Sequence, residues 1–236
     1  MANIKFSAFT TETDDTQIDF LASYQGTTMK KIAPNNITGA YPFKIEIDSL
    51  YSGFVPGSLS GAPQGNTILG IDAGNALTTG TNNTLIGNDA GLLLTTGAET
   101  TFVGRSTGRV NTATGSVSMG YEAGYSNTSG VSNTNVGYKA GYQNTTNANR
   151  TYMGYEAGNY NSGGNNTGVG YRACNGYFSF GTGQGTGADN TGIGYEAMSS
   201  LNGASAIKNT AVGVQSLGGV LTAGNNAALG YRAGQM

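Results

Sequence analysis

Three glutamates, Glu122, Glu156 and Glu196, occupy one position of a repeating sequence, and paired carboxylates are the chemistry of glycoside hydrolysis. Glu122 and Glu156 would lie two coils apart, roughly 10 Å at the inter-strand spacing. Lys139 falls between them, and Arg172 falls between Glu156 and Glu196. A column that alternates in sign is an ion-pair ladder that holds register sooner than an acid and a base. Other routes to catalysis are thinner. The chain has no histidine, the commonest general base and metal ligand, and Cys174 is its only cysteine, so no disulfide closes within it. The run Gly181-Thr182-Gly183-Gln184-Gly185-Thr186-Gly187 lacks the Gly-Lys-Ser/Thr of a phosphate loop. The recurring Gly-Gly-x-Gly-x-Asp of calcium-binding rolls is missing too. The expectation is a chain that is not an enzyme, with no catalytic residue, no metal and no cofactor.

Binding chemistry has better candidates. Tyr121, Tyr138, Tyr155, Tyr171, Tyr195 and Tyr231 share one repeat position. They could form an aromatic ladder for a glycan or partner, but a feature renewed coil after coil fits packing between coils or protomers better. Thr67, Thr84, Thr101, Thr134, Thr151, Thr167, Thr191 and Thr210 make another column. Ordering of ice-like water needs paired threonine columns on a flat face, and only one is regular, so hydrogen-bonded Asn/Thr stacking is the expectation. Tyr177, Phe178 and Phe180 fall in the longest insertion. They either form an exposed loop that touches a receptor or neighbouring subunit, or fold back over the coil.

These residues are positioned by the repeat itself, Asn-Thr-x-apolar-Gly-x-x-Ala-Gly followed by a polar turn. Its anchoring glycines are Gly70, Gly87, Gly104, Gly120, Gly137, Gly154, Gly170, Gly194, Gly213 and Gly230. Seven of the nine intervals are 16 or 17 residues; the others, 24 and 19, mark insertions at about 174–188 and 201–205. Leu69, Ile86, Val103, Met119, Val136, Met153, Val169, Ile193, Val212 and Leu229 precede the anchors, and this apolar column is expected to face inward. Three residues past each anchor stands a small residue, as at Ala73 and Ala140, suited to a tight corner. Helix-pair and leucine-rich repeats need longer periods, whereas this one accommodates two short strands and two turns. Each coil buries its apolar residues only against the next, so stability is nearest-neighbour. Ten coils stack to about 48 Å.

Composition agrees. Gly is abundant, at 40 of 236 residues, without the every-third spacing of collagen, and only 10% of residues are charged. A net charge of −2 with no basic stripe argues against nucleic acid. No apolar run is long enough to span a membrane. The start, 1–13, lacks the pattern of a signal peptide, so the Asn-x-Ser/Thr sequons are by-products of the repeat. Residues 1–50 are expected to form a small N-terminal β domain, with a hairpin turning at Gln25-Gly26-Thr27 and a further strand within 43–48. Residues 51–65 are a linker, and 66–236 form the repeat domain. The last coil runs to Gly234-Gln235-Met236, and its open edge is expected to be closed by trimer packing, by the Met236 tail or by another protein.

The unit Asn-Thr-x-Val/Ile-Gly-Tyr-x-Ala, clearest at 133–141, 166–173 and 190–197, resembles the head repeats of trimeric autotransporter adhesins, the YadA-like β-roll. It is similar also to the repeats of bacteriophage tail fibres, those of marine phages especially. The resemblance covers roughly 66–234. A shorter one, at Met1-Ala2-Asn3-Ile4-Lys5-Phe6 and 19–26, is to the virion-attachment start of such fibres. It implies an all-β chain, a small N-terminal β domain followed by a left-handed parallel β-roll or solenoid of about ten coils, assembled as a homotrimer. A heptad-bearing stalk, a membrane anchor and a signal peptide are missing, which favours a phage virion protein assembled in host cytoplasm. The expected function is a tail fibre attaching to a host surface glycan or protein, joined to other virion proteins through the N-terminal domain. The alternatives are a capsid decoration protein or head fibre and, third, a polysaccharide depolymerase.

Overall fold

The computed structural model describes residues 65–176, 186–201, 205–219 and 222–235, together with the N-terminal strands at 21–25, 28–31, 44–46 and 49–52. The chain divides into two compact units, 1–41 and 42–236. In the first, β1 (Leu21–Gln25) pairs antiparallel with β2 (Thr28–Lys31).

The second unit is one sheet of twelve strands. It opens with β3 (Lys44–Glu46), antiparallel to β4 (Ser49–Ser52). Ten parallel strands follow, one per coil: β5 (Thr67–Leu69), β6 (Thr84–Ile86), β7 (Thr101–Val103), β8 (Val117–Met119), β9 (Thr134–Val136), β10 (Thr151–Met153), β11 (Thr167–Val169), β12 (Thr191–Ile193), β13 (Thr210–Val212) and β14 (Ala227–Leu229). Register is in phase throughout, with Thr134 beside Thr151 and Thr151 beside Thr167. The chain is an all-β solenoid. β4 pairs parallel with β5, so the sheet begins ahead of Asn66, and β4 straddles the expected limit of the N-terminal domain at residue 50.

Each coil carries one strand, not the two the period suggests. The rest is turn, because left-handed residues interrupt extended backbone three times per coil, as at Glu122, Gly124 and Ser132 (φ 53, 60 and 56°). The turns still stack. Lys139 N–H donates to Tyr121 O (2.9 Å), Gly124 N–H to Ala140 O (2.9 Å) and Thr128 N–H to Thr145 O (2.7 Å). Every side of the coil thus feeds its backbone groups to its neighbours. At the anchors the chain turns off the strand through φ 120–144°. A Cβ on Gly87 would stand 2.5 Å from the carbonyl oxygen of Gly104, and the same clash excludes a side chain at every anchor but the last, Gly230, which has no coil stacked on it.

A buried asparagine column locks the stack. Asn83 N–H donates to Asn66 Oδ1 (3.0 Å), Asn190 N–H to Asn166 Oδ1 (2.8 Å), Asn209 N–H to Asn190 Oδ1 (2.9 Å) and Asn226 N–H to Asn209 Oδ1 (2.9 Å). Each amide nitrogen donates to a turn carbonyl, as from Asn83 to Gly97 O (3.0 Å) and from Asn190 to Ala206 O (2.8 Å). Thr100 and Ser116 take two rungs and Arg150 a third. Its guanidinium is buried, all its hydrogen bonds go to neutral acceptors, among them the carbonyls of Asn147 and Asn161, and burial lowers its pKa to about 10.

The column before the anchors faces outward, against expectation: Leu69, Met119, Met153 and Ile193 are 41–43% exposed. The inward residue is the middle one of each strand: Ile68, Leu85, Phe102, Ser118, Asn135, Tyr152, Gly168, Gly192, Ala211 and Ala228. Its sizes vary because a second column compensates. Where the strand residue is Ile68, Leu85, Phe102 or Tyr152, the corner residue four past the anchor is Gly74, Gly91, Gly108 or Gly158. A Cβ on Gly108 would lie 2.7 Å from the Phe102 ring. Where the strand supplies Gly168, Gly192 or Ala211, the corner supplies Cys174, Met198 or Leu217, each buried and each held at φ near 50°. Filling the core outweighs the roughly 1–2 kcal/mol of a left-handed side chain.

Two measurements test this core. Leu217→Gly is expected to cost about 2 kcal/mol or more in thermal unfolding, and adding Ala211→Leu to recover over half of it. Tyr152 is fully buried, its hydroxyl near Asn166 and Arg150 but without a well-formed hydrogen bond among the described residues, and burial pushes its phenol far above 10. The folded chain holds that proton more tightly than the unfolded one, so this share of stability is whole below pH 10 and is lost as pH rises. Tyr152→Phe is expected to stay within about 1 kcal/mol of wild type at neutral pH and to show a shallower alkaline loss.

Candidate functional site

The outer surface is a set of columns that cross the anchors side by side. Along the sheet, the half-buried threonines run beside the exposed aliphatic column. The partner column of the threonines is therefore aliphatic, not a second row of hydroxyls. Just past the anchors come the tyrosines. Tyr121, Tyr138, Tyr155, Tyr171 and Tyr195 form one continuous stack, with successive centroids 5.4, 4.9, 5.2 and 5.0 Å apart and planes within 10° of parallel. The rings cover one another's faces. What they offer outward is a row of edges and hydroxyls, which removes the flat face on which a sugar would stack.

The charged column is next. Lys139 meets Glu122 at 3.5 Å, Arg172 meets Glu156 at 2.7 Å, and Gln215 Nε2 donates to Glu196 at 2.9 Å. Each of the three glutamates is engaged by the coil that follows it, an arrangement that sets register and contributes at most about 1 kcal/mol per pair. The left-handed backbone of these residues turns their side chains out. The carboxylates in turn act on the tyrosines. A hydrogen bond to Glu122 raises the Tyr121 phenol, and the charge of Glu196 raises that of Tyr195.

Tyr177, Phe178 and Phe180, the sequence's best binding candidates, lie outside the described residues, as do 181–185. The flanks of that insertion are part of the coil: Gly187 O accepts from Asn166 Nδ2 at 2.8 Å. Cys174 just before it is buried, and burial pushes its thiol up to about 12, so it is not a nucleophile at neutral pH. Among the described residues no three His, Cys, Asp or Glu side chains gather as a metal would require.

The sequence does not single out Arg105 or Arg109. Arg105 takes the tyrosine position on its coil, and its guanidinium lies 5.6 Å from the Tyr121 centroid. Arg109 lies 5.8 Å from the Tyr125 centroid and donates to the Tyr125 hydroxyl at 3.3 Å. Tyr125 in turn stacks on Tyr142 at 5.1 Å, a second, shorter aromatic column. The available signal was the break in the tyrosine column at Arg105.

No protein-family model, curated protein or solved structure matches the chain. The columns themselves make a testable statement. Glu196→Gln is expected to bring the Tyr195 phenol down toward 10 while leaving Tyr155, whose shift comes first from burial, nearly where it is. NMR titration of ring-labelled tyrosine reads both; an unmoved Tyr195 contradicts the coupling.

Proposed function

We propose that this chain is a structural fibre of a bacteriophage virion, a homotrimer that attaches the particle to a host surface. The outward aliphatic column carries the reading. It extends over ten coils, from Leu69 to Leu229, with exposed members such as Met119 and Met153 alternating with half-buried ones such as Val103 and Val136, threonines along most of one edge and, from Tyr121 to Tyr195, stacked tyrosines along the other. A soluble chain seldom leaves so long an apolar strip to water. A strip that recurs at every coil is suited to an equally periodic surface of another copy, and contacts of that kind repeated around an axis along the rod close into a ring. Three copies around one axis is the arrangement that the repeat's resemblance to trimeric adhesin heads and phage fibres implies. The same resemblance supports the virion, with the N-terminal residues as the attachment end.

The particle's tail is the expected site, and labelled chain seen only on the shell would move the fibre to the capsid. Solution mass tests assembly. Wild type is expected at three times 24.0 kDa. Met153→Glu with Ile193→Glu, which place charge in the strip, are expected to give a folded species of single-chain mass. A wild-type monomer would falsify the trimer.

A further inference from the structure

The third coil breaks the outer columns with two arginines, Arg105 and Arg109. Each guanidinium lies over the face of a tyrosine on the next coil, which steadies the planar fork while leaving most of its N–H donors free. Arg105 is exposed and has no carboxylate partner among the described residues. Arg109 uses one donor on the Tyr125 hydroxyl and meets Asp89 only at 3.9 Å. Lys139 lies 5.5 Å from the Tyr138 ring and 5.2 Å from the Tyr142 ring, so the two tyrosine columns border one strip of surface. From Asp89 to Lys139 the chain carries three cations, Arg105, Arg109 and Lys139, and three carboxylates, Asp89, Glu99 and Glu122, with Glu122 held by Lys139. The stretch is balanced in charge, and what sets it apart is the Arg105 fork, presented on a ring without a carboxylate against it among the described residues.

We propose that Arg105 and Arg109 form a binding site for the carboxylates of an acidic polysaccharide. The forked guanidinium matches a carboxylate bidentately. The row of tyrosine edges and hydroxyls that begins at Tyr121 repeats at 4.9–5.4 Å along the rod, a spacing the size of one sugar unit, so an extended glycan anchored at the arginines meets a phenol oxygen at each step, an acceptor even where its proton is given to a glutamate, as at Tyr121. The aliphatic strip remains free to pack against other copies. The identity of the partner rests on the surface-attachment reading; the site itself does not.

The test uses the full chain and fluorescently labelled polygalacturonate, with neutral dextran and polyglutamate as comparisons. Wild type is expected to bind polygalacturonate, to ignore dextran, and to weaken as salt is raised. Arg105→Gln with Arg109→Gln is expected to lose about tenfold or more in affinity. Arg105→Lys with Arg109→Lys recovers only part, because an ammonium cannot fork. Unchanged affinity in the glutamine pair, or no preference over dextran, overturns the site. Polyglutamate bound as tightly as polygalacturonate overturns the sugar assignment. Solution mass separates the two readings: a trimer that binds no polygalacturonate removes the site and leaves the fibre, whereas a monomer that binds it removes the fibre and leaves the site.

Discussion

A buried amide cannot go unpaired, and the architecture follows from that constraint. Each ladder asparagine uses its oxygen for a backbone N–H of the next coil and its nitrogen for a turn carbonyl, as Asn190 does with Asn209 and Ala206. A slip of one residue would leave both ends orphaned at a cost of about 1–3 kcal/mol each. Register is thus specified at the seven asparagine coils by polar satisfaction rather than by apolar burial. This explains how a chain with so few large apolar residues forms a long parallel stack. It explains also why the inner strand position can vary from glycine to tyrosine, since it does not have to define the register.

The freedom this gives the core is used in an orderly way. Strand and corner columns exchange bulk, so that Ile68 sits with Gly74 and Gly192 with Met198. The source of the filling alternates between a strand, where any residue is at ease, and a left-handed corner, where only glycine is. Ser118 and Asn135 are a third solution, a polar filling in which Asn135 Nδ2 donates to Ser118 Oγ at 3.2 Å.

Periodicity made the solenoid legible, because the anchors fall at intervals that no helical or globular pattern produces. It also marked the ion-pair column, since Glu122, Lys139, Glu156 and Arg172 alternate at one position. The direction of the apolar column was not legible. A uniform apolar column looks like a core from sequence, but here uniformity marks the outside, where like stacks on like along the rod, and the true interior is irregular because two columns share it. The single strand per coil was hidden for a related reason: left-handed residues such as Glu122 and Lys139 carry no sequence mark, being neither glycine nor asparagine. Arg105 and Arg109 stood out only once the rings beneath them were placed.

The polar filling at Ser118 and Asn135 divides the interior. One apolar cluster runs from Ile68 to Phe102 and another from Ala140 to Leu217, with the serine, the asparagine and its unpaired Oδ1 between them. In a nearest-neighbour stack, cooperativity is only as long as the coupling between adjacent coils is strong. Here the apolar core is interrupted, and the outer columns bridge the gap: Tyr121 on Tyr138, Tyr125 on Tyr142 and Lys139 on Glu122 all span the coils of Ser118 and Asn135, so load passes across this point through the surface of the rod instead of its interior.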